Sequence, residues 1–318
     1  MQFSVIVPLY NKSRSIGRAV NSILEQTYEK FEVIVVDDGS TDNGVTVVED
    51  FHDSRIRLVR QNNFGVSVAR NKGISIASHQ LIAFLDADDA WKPWFLQTIT
   101  ELIKRHPKAY WYATNYERQN KGRKVSGFKG VADNLGGEID NFFELAVDEL
   151  PVHISSVVIR RAILDRVGMF PVGVKYGEDQ DLFCRLALYY PLIYNFKVCA
   201  TYFLDSENRT CKKIIVPEVW PFLREYKTCL TEVNLKTSEA IKKFVARRFL
   251  TRAKALKNVG RSVEAMQAIA VAELTGTLYE LCLKTRKYCN RPMPIIRLII
   301  KYKFYAGRVR GLIRKGFY

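Results

Sequence analysis

The stretch from Leu81 to Trp91 constrains the fold of this chain more than any other part of the sequence. It reads LIAFLDADDAW, so five apolar residues lead directly into three carboxylates, Asp86, Asp88 and Asp89. An unbroken apolar run of this length is typical of a strand that is buried on both faces of a parallel sheet. The acidic residues then lie at the carboxyl edge of that sheet, where open α/β folds bind their ligands.

These three carboxylates have two interpretations. Clustered negative charges repel one another, so a cation that neutralises them stabilises the cluster. Oxygen ligands of this kind suit Mg²⁺ or Mn²⁺, together with a substrate phosphate. Alternatively, the residues form a polar turn that caps the following helix, with Pro93 in its first turn. The spacing alone leaves both interpretations open.

The first hundred residues alternate between strand and helix patterns, which predicts a mostly parallel sheet with right-handed crossovers. Polar residues end three of the strands, so we expect one binding crevice where Pro8 to Asn11, Asp37–Asp38 and the acidic stretch meet. The predicted strands are Phe3–Val7, Phe31–Val36, Ile56–Arg60 and the run from Leu81, and the predicted helices are Ser15–Gln26, Asn43–Phe51 and Val66–Ala77.

Further along the chain the patterns predict a mixed α/β region followed by helices alone. Residues 117–137 are rich in Lys, Arg and Gly and indicate a loop or hairpin insertion. The other predicted elements are a helix over 93–106, strands Ala109–Asn115, Ser155–Ile159 and Tyr194–Leu204, helices Phe142–Val147 and Arg161–Val167, a helix from Gly177 to Tyr189, and a helix pair, Ser238–Val259 and Ser262–Leu283, broken at Gly260.

The positive charge of the chain is concentrated in its last third. The net charge is +16, yet residues 211–318 carry 24 Lys and Arg against 7 Asp and Glu, which leaves residues 1–210 close to neutral. This asymmetry predicts two regions with different functions, divided at about residue 210.

Composition indicates a globular cytoplasmic protein. No apolar run is long enough to span a bilayer, and Phe3–Val7 already has a strand pattern, so we expect no signal peptide. The cysteines show no paired metal-binding spacing, which favours free thiols in a reducing compartment. They are Cys184, Cys199, Cys211, Cys229, Cys282 and Cys289.

Five short motifs occur in a fixed order over roughly residues 1–210. They are VIVPLYN (5–11), VVDDGSTD (35–42), GVSVARN (65–71), FLDADD (84–89) and GEDQDL (177–182). Together they resemble the family 2 glycosyltransferases, inverting enzymes with the Rossmann-like GT-A fold. The resemblance implies a nucleotide-sugar pocket with a divalent metal, Mn²⁺ or Mg²⁺.

The resemblance assigns five positions to the nucleotide pocket. Asp38 would accept a hydrogen bond from a uracil-type imide, a role that passes to Asp37 if the register differs by one. Pro8 and Tyr10 would form the wall beside the base, and Arg70 would approach the base or the phosphates. The alternatives are turn-forming residues for the first four positions and an exposed helix arginine for Arg70.

The resemblance also assigns the carboxylates of the reaction. Asp86 would contact the ribose, Asp88 would bind the metal, and Asp179 would act as the general base that deprotonates the acceptor hydroxyl. Glu178 would orient Asp179 or contact the acceptor. The alternative for the last two is that acidic residues in a first helical turn simply complement the helix dipole.

The sequence departs from the family pattern at one metal ligand. Many members place a histidine after the final strand, in a pattern like Tyr-x-x-His, whereas this chain reads Tyr202-Phe-Leu-Asp205. Asp205 could supply an oxygen ligand there, or water could take the place. The histidines lie elsewhere and are interpreted as surface or packing residues; they are His52, His79, His106 and His153.

The basic C-terminal segment has several possible partners. Residues 291–318 combine eight basic residues and no acidic ones with runs of Ile and Leu, which is typical of a helix in an anionic membrane surface. These apolar runs argue against nucleic acid as the partner. A helix packed on the catalytic domain, or a contact in a homo-oligomer, is the alternative. In the insertion, Arg123, Lys124 and Lys129 could hold a lipid-linked diphosphate acceptor.

The sequence therefore predicts a metal-dependent inverting glycosyltransferase that moves a sugar from a nucleotide donor, a UDP-sugar, to a glycan, with a lipid-linked acceptor and a peripheral position on the membrane. A sugar nucleotidyltransferase is the first alternative, although its Gly- and Arg-rich phosphate loop is missing after the first strand. A dinucleotide dehydrogenase lacks support because no GxGxxG follows that strand. A catalytically inactive scaffold would have lost the carboxylates, and they are all present.

Overall fold

The computed structural model describes residues 1–125, 128, 136–209 and 216–290. The chain divides into two compact units, the first comprising Met1–Lys213 and Glu218–Thr237 and the second Ile214–Pro217 and Ser238–Tyr318. The first unit therefore includes residues beyond the boundary predicted near residue 210.

The first four strands and three helices of the first unit lie where the sequence predicts them. Most side chains of the first, second and fourth strands are buried, whereas those of the third strand, at the edge of the sheet, are partly or fully exposed. The elements are β1 (Phe3–Leu9), α1 (Ile16–Leu24), β2 (Phe31–Asp38), α2 (Gly44–Glu49), β3 (Ile56–Gln61), α3 (Val66–Ile76) and β4 (Leu81–Phe84).

The rest of the first unit adds strands of both directions. The predicted insertion begins as a hairpin, in which β6 pairs antiparallel with β7. The elements are β5 (Ala90–Trp91), α4 (Phe95–Arg105), β6 (Trp111–Asn120), β7 (Arg123–Val125), β8 (Gly137–Ile139), α5 (Phe142–Leu145), a 3₁₀ turn (Ile154–Ser156), β9 (Val157–Arg160), α6 (Arg161–Val167), α7 (Glu178–Tyr189), β10 (Leu192–Phe203) and α8 (Pro221–Cys229).

In the described part of the chain, ten strands form one mixed, mostly parallel sheet. Its main path runs β3-β2-β1-β4-β9-β6-β10-β5, with β7 on β6 and β8 on β10. Strands β1 to β4 are parallel, and so are β6 and β10. Strand β9 lies between β4 and β6 and is antiparallel to both, so all six of these strands share one direction. Helices flank the sheet, so the predicted fold class, an α/β sheet of the GT-A type with helices after it, is confirmed.

A glycine allows close packing of a helix on the central strand. A Cβ added to Gly73 of α3 would lie 2.5 Å from Ile6 Cγ2 in β1. Real Cβ atoms do not approach so closely, so any larger residue must push α3 away from the sheet. This contact sets the distance between α3, which carries Arg70, and the strand at the centre of the sheet.

The described part of the second unit is helical, with one correction to the prediction. The break at Gly260 is confirmed, where the chain has a positive φ of 86°. However, the predicted helix Ser262–Leu283 is two helices, because the chain turns through left-handed conformations at Gly276 and Leu278. The helices are α9 (Leu235–Asn258), α10 (Ser262–Glu273) and α11 (Tyr279–Cys289).

Two further predictions concern the chain as a whole. Within the described ranges, no helix combines the length and the apolar character that crossing a bilayer requires. The cysteines at 184, 199, 229, 282 and 289 are free thiols, as predicted, whereas Cys211 and the basic segment 291–318 lie outside the described residues.

Candidate active site

The carboxyl ends of three parallel strands place the predicted acidic residues along one edge of the sheet. In the ladders, Leu9 of β1 pairs with Asp37 of β2, and Ile6 of β1 pairs with Phe84 of β4. Asp38 ends β2, and Asp86 follows β4 by two residues. The predicted convergence of these strand ends is therefore present in the fold.

Arg70 joins two of the acidic motifs. Its guanidinium is 2% exposed, and it donates from Nη2 to Asp86 Oδ1 at 2.7 Å and from Nη1 to Glu178 Oε1 at 2.8 Å. The interpretation of Arg70 as an exposed helix arginine is therefore wrong. Through this one side chain, α3 connects the turn after β4 to the first turn of α7, where Asp179 lies.

The two carboxylates stabilise the charge on Arg70. Burial opposes the charged forms of Arg70 and Asp86, but the charges of Asp86 and Glu178 raise the pKa of Arg70, and Arg70 lowers the pKa of Asp86. Arg70 Nε is buried without a hydrogen-bond partner among the described residues. An arginine held by two carboxylates is a rigid support for the groups beside it.

Asp179 has the properties of a base near neutral pH. Burial, followed by the neighbouring charge of Glu178, raises its pKa to about 7. The described hydrogen bond to its side chain comes from the backbone N–H of Gln180, at 2.8 Å. A carboxylate with this pKa can accept a proton under physiological conditions.

The start of α7 depends on a glycine. Gly177 precedes the helix with a φ of +86°, and a Cβ there would lie 2.5 Å from Trp220 Cε3. Asp181, also in the first turn, accepts a hydrogen bond from Phe222 N at 2.7 Å. The segment entering α8 therefore positions the helix that carries Glu178 and Asp179.

The two acidic residues that end β2 have different contacts. Asp38 accepts hydrogen bonds from Gln61 Nε2 at 2.8 Å and from the backbone N–H groups of Phe64 and Gly65 at 2.9 Å. Asp37 accepts from Ser40 N at 3.1 Å, the contact of a turn-forming residue. Asp38 thus fixes the loop between β3 and α3.

The predicted wall of the base pocket lies at the end of β1. Pro8 is within the strand, and Tyr10 follows it with 39% of its surface exposed. The base-binding roles of Pro8, Tyr10 and Asp38 stay predictions.

The turn after β4, called the acidic turn below, carries Asp86, Asp88 and Asp89. Some of these carboxylates lie at the crevice, and one is buried in the interior. Asp88 pairs with Lys12, whose Nζ lies 2.6 Å from Asp88 Oδ2. Asp89 is fully buried, and it accepts hydrogen bonds from Ser155 Oγ at 2.6 Å and Phe203 N at 3.3 Å. Burial, followed by the charges of Asp88 and Asp86, raises the pKa of Asp89 well above its usual range.

His153 joins this turn, which the sequence did not indicate. Its nitrogen and one oxygen each from Asp86 and Asp89 lie within 4.8 Å of one another. The ring packs against Tyr202, with centroids 4.3 Å apart, and burial lowers its pKa to about 4. The interpretation of His153 as a surface or packing residue is therefore incomplete, because its neutral imidazole also lies among carboxylates.

The donor set of this turn fits a divalent cation. Carboxylate oxygens together with a neutral imidazole nitrogen are ligands that Mn²⁺ accepts, and Mg²⁺ accepts the oxygens. Burial, followed by the charges of Asp88 and Asp86, raises the pKa of Asp89, and a cation bound at this turn would favour the charged carboxylate. Asp86, Asp88, Asp89 and His153 are the groups that could hold such an ion.

The segment after β10 contains the predicted residue Asp205 and also Glu207, which the sequence analysis missed. Asp205 is exposed and accepts a hydrogen bond from Lys121 N at 2.8 Å, so its role as a metal ligand stays a prediction. Glu207 is connected to the acidic turn through Lys12, whose Nζ donates to the carbonyl oxygen of Glu207 and to Asp88. Its Oε2 accepts from Ser15 Oγ at 2.6 Å. Its position two residues beyond Asp205 carries no signal in the sequence.

Fold and site together define a class of protein, an α/β transferase with an acidic crevice at the carboxyl edge of its sheet. The chain belongs to glycosyltransferase family 2, because the family model described as Glycosyl transferase family 2 matches residues 4–168. The resemblance drawn from the five motifs is thereby confirmed.

A relative with a stated activity shares the N-terminal part of the chain. The UDP-Glc:alpha-D-GlcNAc-diphosphoundecaprenol beta-1,3-glucosyltransferase WfgD of Escherichia coli is 37% identical over 126 residues, which are 39% of this chain and 49% of that protein. The chain matches only 26–49% of the length of such curated relatives.

Solved structures share the fold at low sequence identity. The Staphylococcus aureus TarS fragment 1–349, in complex with UDP-GlcNAc, superposes with a TM-score of 0.68 at 20% identity, over 91% of this chain and 90% of that one. The mannosyltransferase PcManGT of Pyrobaculum calidifontis, in complex with GDP-Man and Mn²⁺, superposes with a TM-score of 0.52 at 19% identity, over 95% and 86%.

Proposed function

We propose that this glycosyltransferase is a metal-dependent, inverting enzyme that transfers a sugar from a UDP-sugar to a hydroxyl group of a lipid-linked glycan. The observation that carries the proposal is the Arg70 bridge. It joins Asp86, in the motif assigned to the donor, to Glu178, beside the predicted base. Donor and acceptor chemistry would therefore take place in one crevice.

Asp179 is the residue that would remove the acceptor proton. As the hydroxyl oxygen attacks the anomeric carbon from the side opposite the leaving group, its proton passes to the Asp179 carboxylate. The displacement inverts the anomeric centre. The pKa of about 7 is suited to this step, because the carboxylate is available at neutral pH and still binds a proton well.

Glu178 and Arg70 would keep the base in place. Glu178 accepts a hydrogen bond from Arg70 at 2.8 Å, whereas Asp179 accepts one from the backbone N–H of Gln180 at 2.8 Å. The charge of Glu178 contributes to the high pKa of Asp179. One acid of the turn is thus structural, and its neighbour reacts.

The acidic turn would hold the diphosphate end of the donor. Asp88 is the predicted cation ligand, with Asp86, Asp89 and His153 in the same turn and Asp205 as a further candidate. When bound, a divalent cation supplies positive charge that stabilises the departing diphosphate. The Mn²⁺ in the PcManGT complex supports this part of the proposal.

Two similar proteins support our proposal for the donor and the acceptor. TarS has been captured with UDP-GlcNAc, and WfgD uses UDP-Glc and a diphosphoundecaprenol-linked sugar. A UDP-sugar and a lipid-linked acceptor are therefore the substrates that we propose. Such an acceptor agrees with a position on the cytoplasmic face of the membrane, held by the basic segment 291–318.

A screen of nucleotide sugars tests this proposal. We expect UDP-sugars to raise the Tm of the protein in the presence of Mn²⁺, and to raise it less without the metal, because ligands that bind only the folded state stabilise it. GDP-sugars and free sugars are the controls. If no nucleotide sugar shifts the Tm under either condition, the donor assignment is wrong.

A further inference from the structure

Lys12 lies at the point where three strand ends meet. It follows Asn11, whose φ of +51° turns the chain out of β1, and its carbonyl oxygen accepts from Ile16 N at the start of α1. Its Nζ lies 2.6 Å from Asp88 Oδ2 and also donates to the carbonyl oxygen of Glu207. The ammonium thus connects the segments that follow β1, β4 and β10.

Two residues at the start of α1, the N-cap Ser15 and Arg18, hold the groups around Lys12 in place. Ser15 Oγ donates to Glu207 Oε2 at 2.6 Å, and Arg18 Nη2 donates to the carbonyl oxygen of Asp88 at 2.6 Å. Glu207 Oε1 is buried without a hydrogen-bond partner among the described residues. The oxygens around the ammonium are therefore held in place by other contacts as well.

The two cations of the acidic crevice differ in their freedom to move. Arg70 is 2% exposed and is held by two carboxylates. The Lys12 and Asp88 side chains are 12% and 13% exposed, so their pair lies at the wall of the crevice. A lysine has a flexible four-carbon chain with a compact charge, and it can leave its partner without opening a cavity in the core.

An ammonium and a divalent cation compete for Asp88 Oδ2. Both bind along the lone pairs of the carboxylate, and their positive charges repel each other at such a distance. The carbonyl oxygen of Glu207 would also suit either cation, because it is a hard neutral ligand. Lys12 therefore competes with a metal ion for Asp88 Oδ2.

We propose that Lys12 occupies the cation position on Asp88 while the donor is absent and yields it to the divalent cation when the nucleotide sugar binds. The released ammonium then contacts the diphosphate of the donor, for which a compact positive charge is suited. This inference rests on the proposed function. It adds a residue that makes binding of the metal and binding of the donor depend on each other.

Two binding constants test this exchange. Mn²⁺ binding to the donor-free protein is measured by electron paramagnetic resonance of the free ion, and UDP binding at saturating Mn²⁺ is measured by calorimetry. In Lys12→Met we expect Mn²⁺ to bind about tenfold more tightly without nucleotide, because its competitor is gone. We expect UDP to bind about tenfold more weakly, because a phosphate contact is lost.

The matched control is Lys92→Met. Lys92 forms a similar part-buried ion pair, with Nζ 2.7 Å from Glu117 Oε1, outside the acidic turn. Neither constant should change in this variant. Asp88→Asn is the second reference and should lose Mn²⁺ binding in the presence or absence of Lys12.

Each outcome bears on the inference in a defined way. Unchanged Mn²⁺ affinity in Lys12→Met, with binding lost in Asp88→Asn, overturns the role of Lys12 but leaves the proposed function standing. Unchanged Mn²⁺ affinity in Asp88→Asn shows that the metal is not held by Asp88, which overturns this inference and the metal assignment together. UDP-sugar binding in the thermal screen reports on the proposed function independently of both.

Lysine acetylation provides a test in the wild-type protein, should Lys12→Met fail to fold. A Nζ held between Asp88 and Glu207 reacts slowly with an acetylating reagent, and reaction is followed by mass spectrometry. Saturating Mn²⁺ should raise the rate at Lys12 severalfold, addition of UDP should lower it again, and Lys92 should not respond. An equal rate at Lys12 with and without Mn²⁺ would contradict the exchange.

Discussion

At the scale of single residues, the site depends on two neighbouring carboxylates that have different surroundings. Glu178 is held by the guanidinium of Arg70, whereas burial and the charge of Glu178 raise the pKa of Asp179 to about 7. Adjacent positions in one helical turn thus differ, because Glu178 has an arginine partner whereas Asp179 is the proposed base. Sequence position alone cannot distinguish them, because both would complement the dipole of α7.

Activity should therefore depend on the protonation of Asp179. The base must be deprotonated to act, so we expect kcat/KM to rise with pH through about 7 and then to level off. Asp179→Asn should lower kcat by about 10²–10⁴-fold, the usual contribution of a general base. UDP release measures the rate, and calorimetry should show nearly unchanged donor affinity; surviving turnover would mean that another residue is the base.

The same residue should affect stability in the opposite direction. Because the folded state binds the Asp179 proton more tightly than the unfolded state, its contribution to stability is lost as pH rises from about 4 towards 7. Asp179→Asn cannot ionise, so its Tm should exceed that of the wild type by roughly a few degrees at pH 8 and by less at pH 5. A Tm difference that does not depend on pH would contradict this.

Asp88 is the residue on which the metal dependence should be tested. Asp88→Ala should reduce UDP affinity in the presence of Mn²⁺ to the value measured without metal, since the predicted ligand is gone. Calorimetry with and without Mn²⁺ measures the difference. Asp53→Ala, which breaks a surface pair with Arg55, is the control and should retain the metal effect.

At the scale of elements, close packing places the side chains of the candidate site. Gly73 brings α3 against Ile6 of β1, and α3 carries Arg70 to the edge where β4 ends. Gly177 performs a comparable function before α7, beneath Trp220. Both glycines allow contacts that a Cβ would prevent, so the distance between elements, and hence the site, depends on them.

Gly73→Ala should destabilise the protein. The added methyl group would meet Ile6 Cγ2 at 2.5 Å, and overpacking of this kind costs about 1–3 kcal/mol. Gly17→Ala in α1 is the matched control, because its Cβ would lie 3.4 Å from Val47 Cγ1, an ordinary contact, and alanine favours the helix. Urea unfolding should show lower stability for the first variant and equal or higher stability for the second.

At the scale of the whole molecule, the family match and the excess of positive charge lie in different parts of the chain. The family model ends at residue 168, whereas the excess of positive charge lies beyond residue 210. The charge of the last third is therefore a property of this chain rather than of the part that the family model describes. Such a distribution favours adsorption to an anionic surface.

The membrane proposal predicts an effect of truncation. Deleting residues 291–318 removes eight basic residues and their interleaved apolar residues, so the protein should no longer sediment with vesicles that contain anionic lipid. Neutral vesicles and high salt are the controls, and transfer to a soluble acceptor should persist. Equal sedimentation of the truncated and complete chains would show that this segment is not the anchor.

The sequence by itself determined the alternation of strands and helices, the α/β class and the acidic character of one sheet edge. These follow from local patterns, and the carboxyl ends of parallel strands necessarily meet at the same edge. The five motifs also predicted one site for Asp86, Asp88 and Asp179, and in the fold Arg70 links Asp86 to Glu178, the neighbour of Asp179. The division of the helix predicted over 262–283 was missed because Leu278, two residues after Gly276, adopts a left-handed conformation that leucine rarely takes.

Only the tertiary structure decided which charges are paired. Arg70 meets carboxylates 16 and 108 residues away, and Lys12 meets partners at separations of 76 and 195. His153 reaches the acidic turn in the same way. No local pattern encodes such contacts, because they depend on where distant segments return to the sheet. The physical reason is that side-chain charge is a property of the residue, whereas its partner, burial and pKa are properties of the fold.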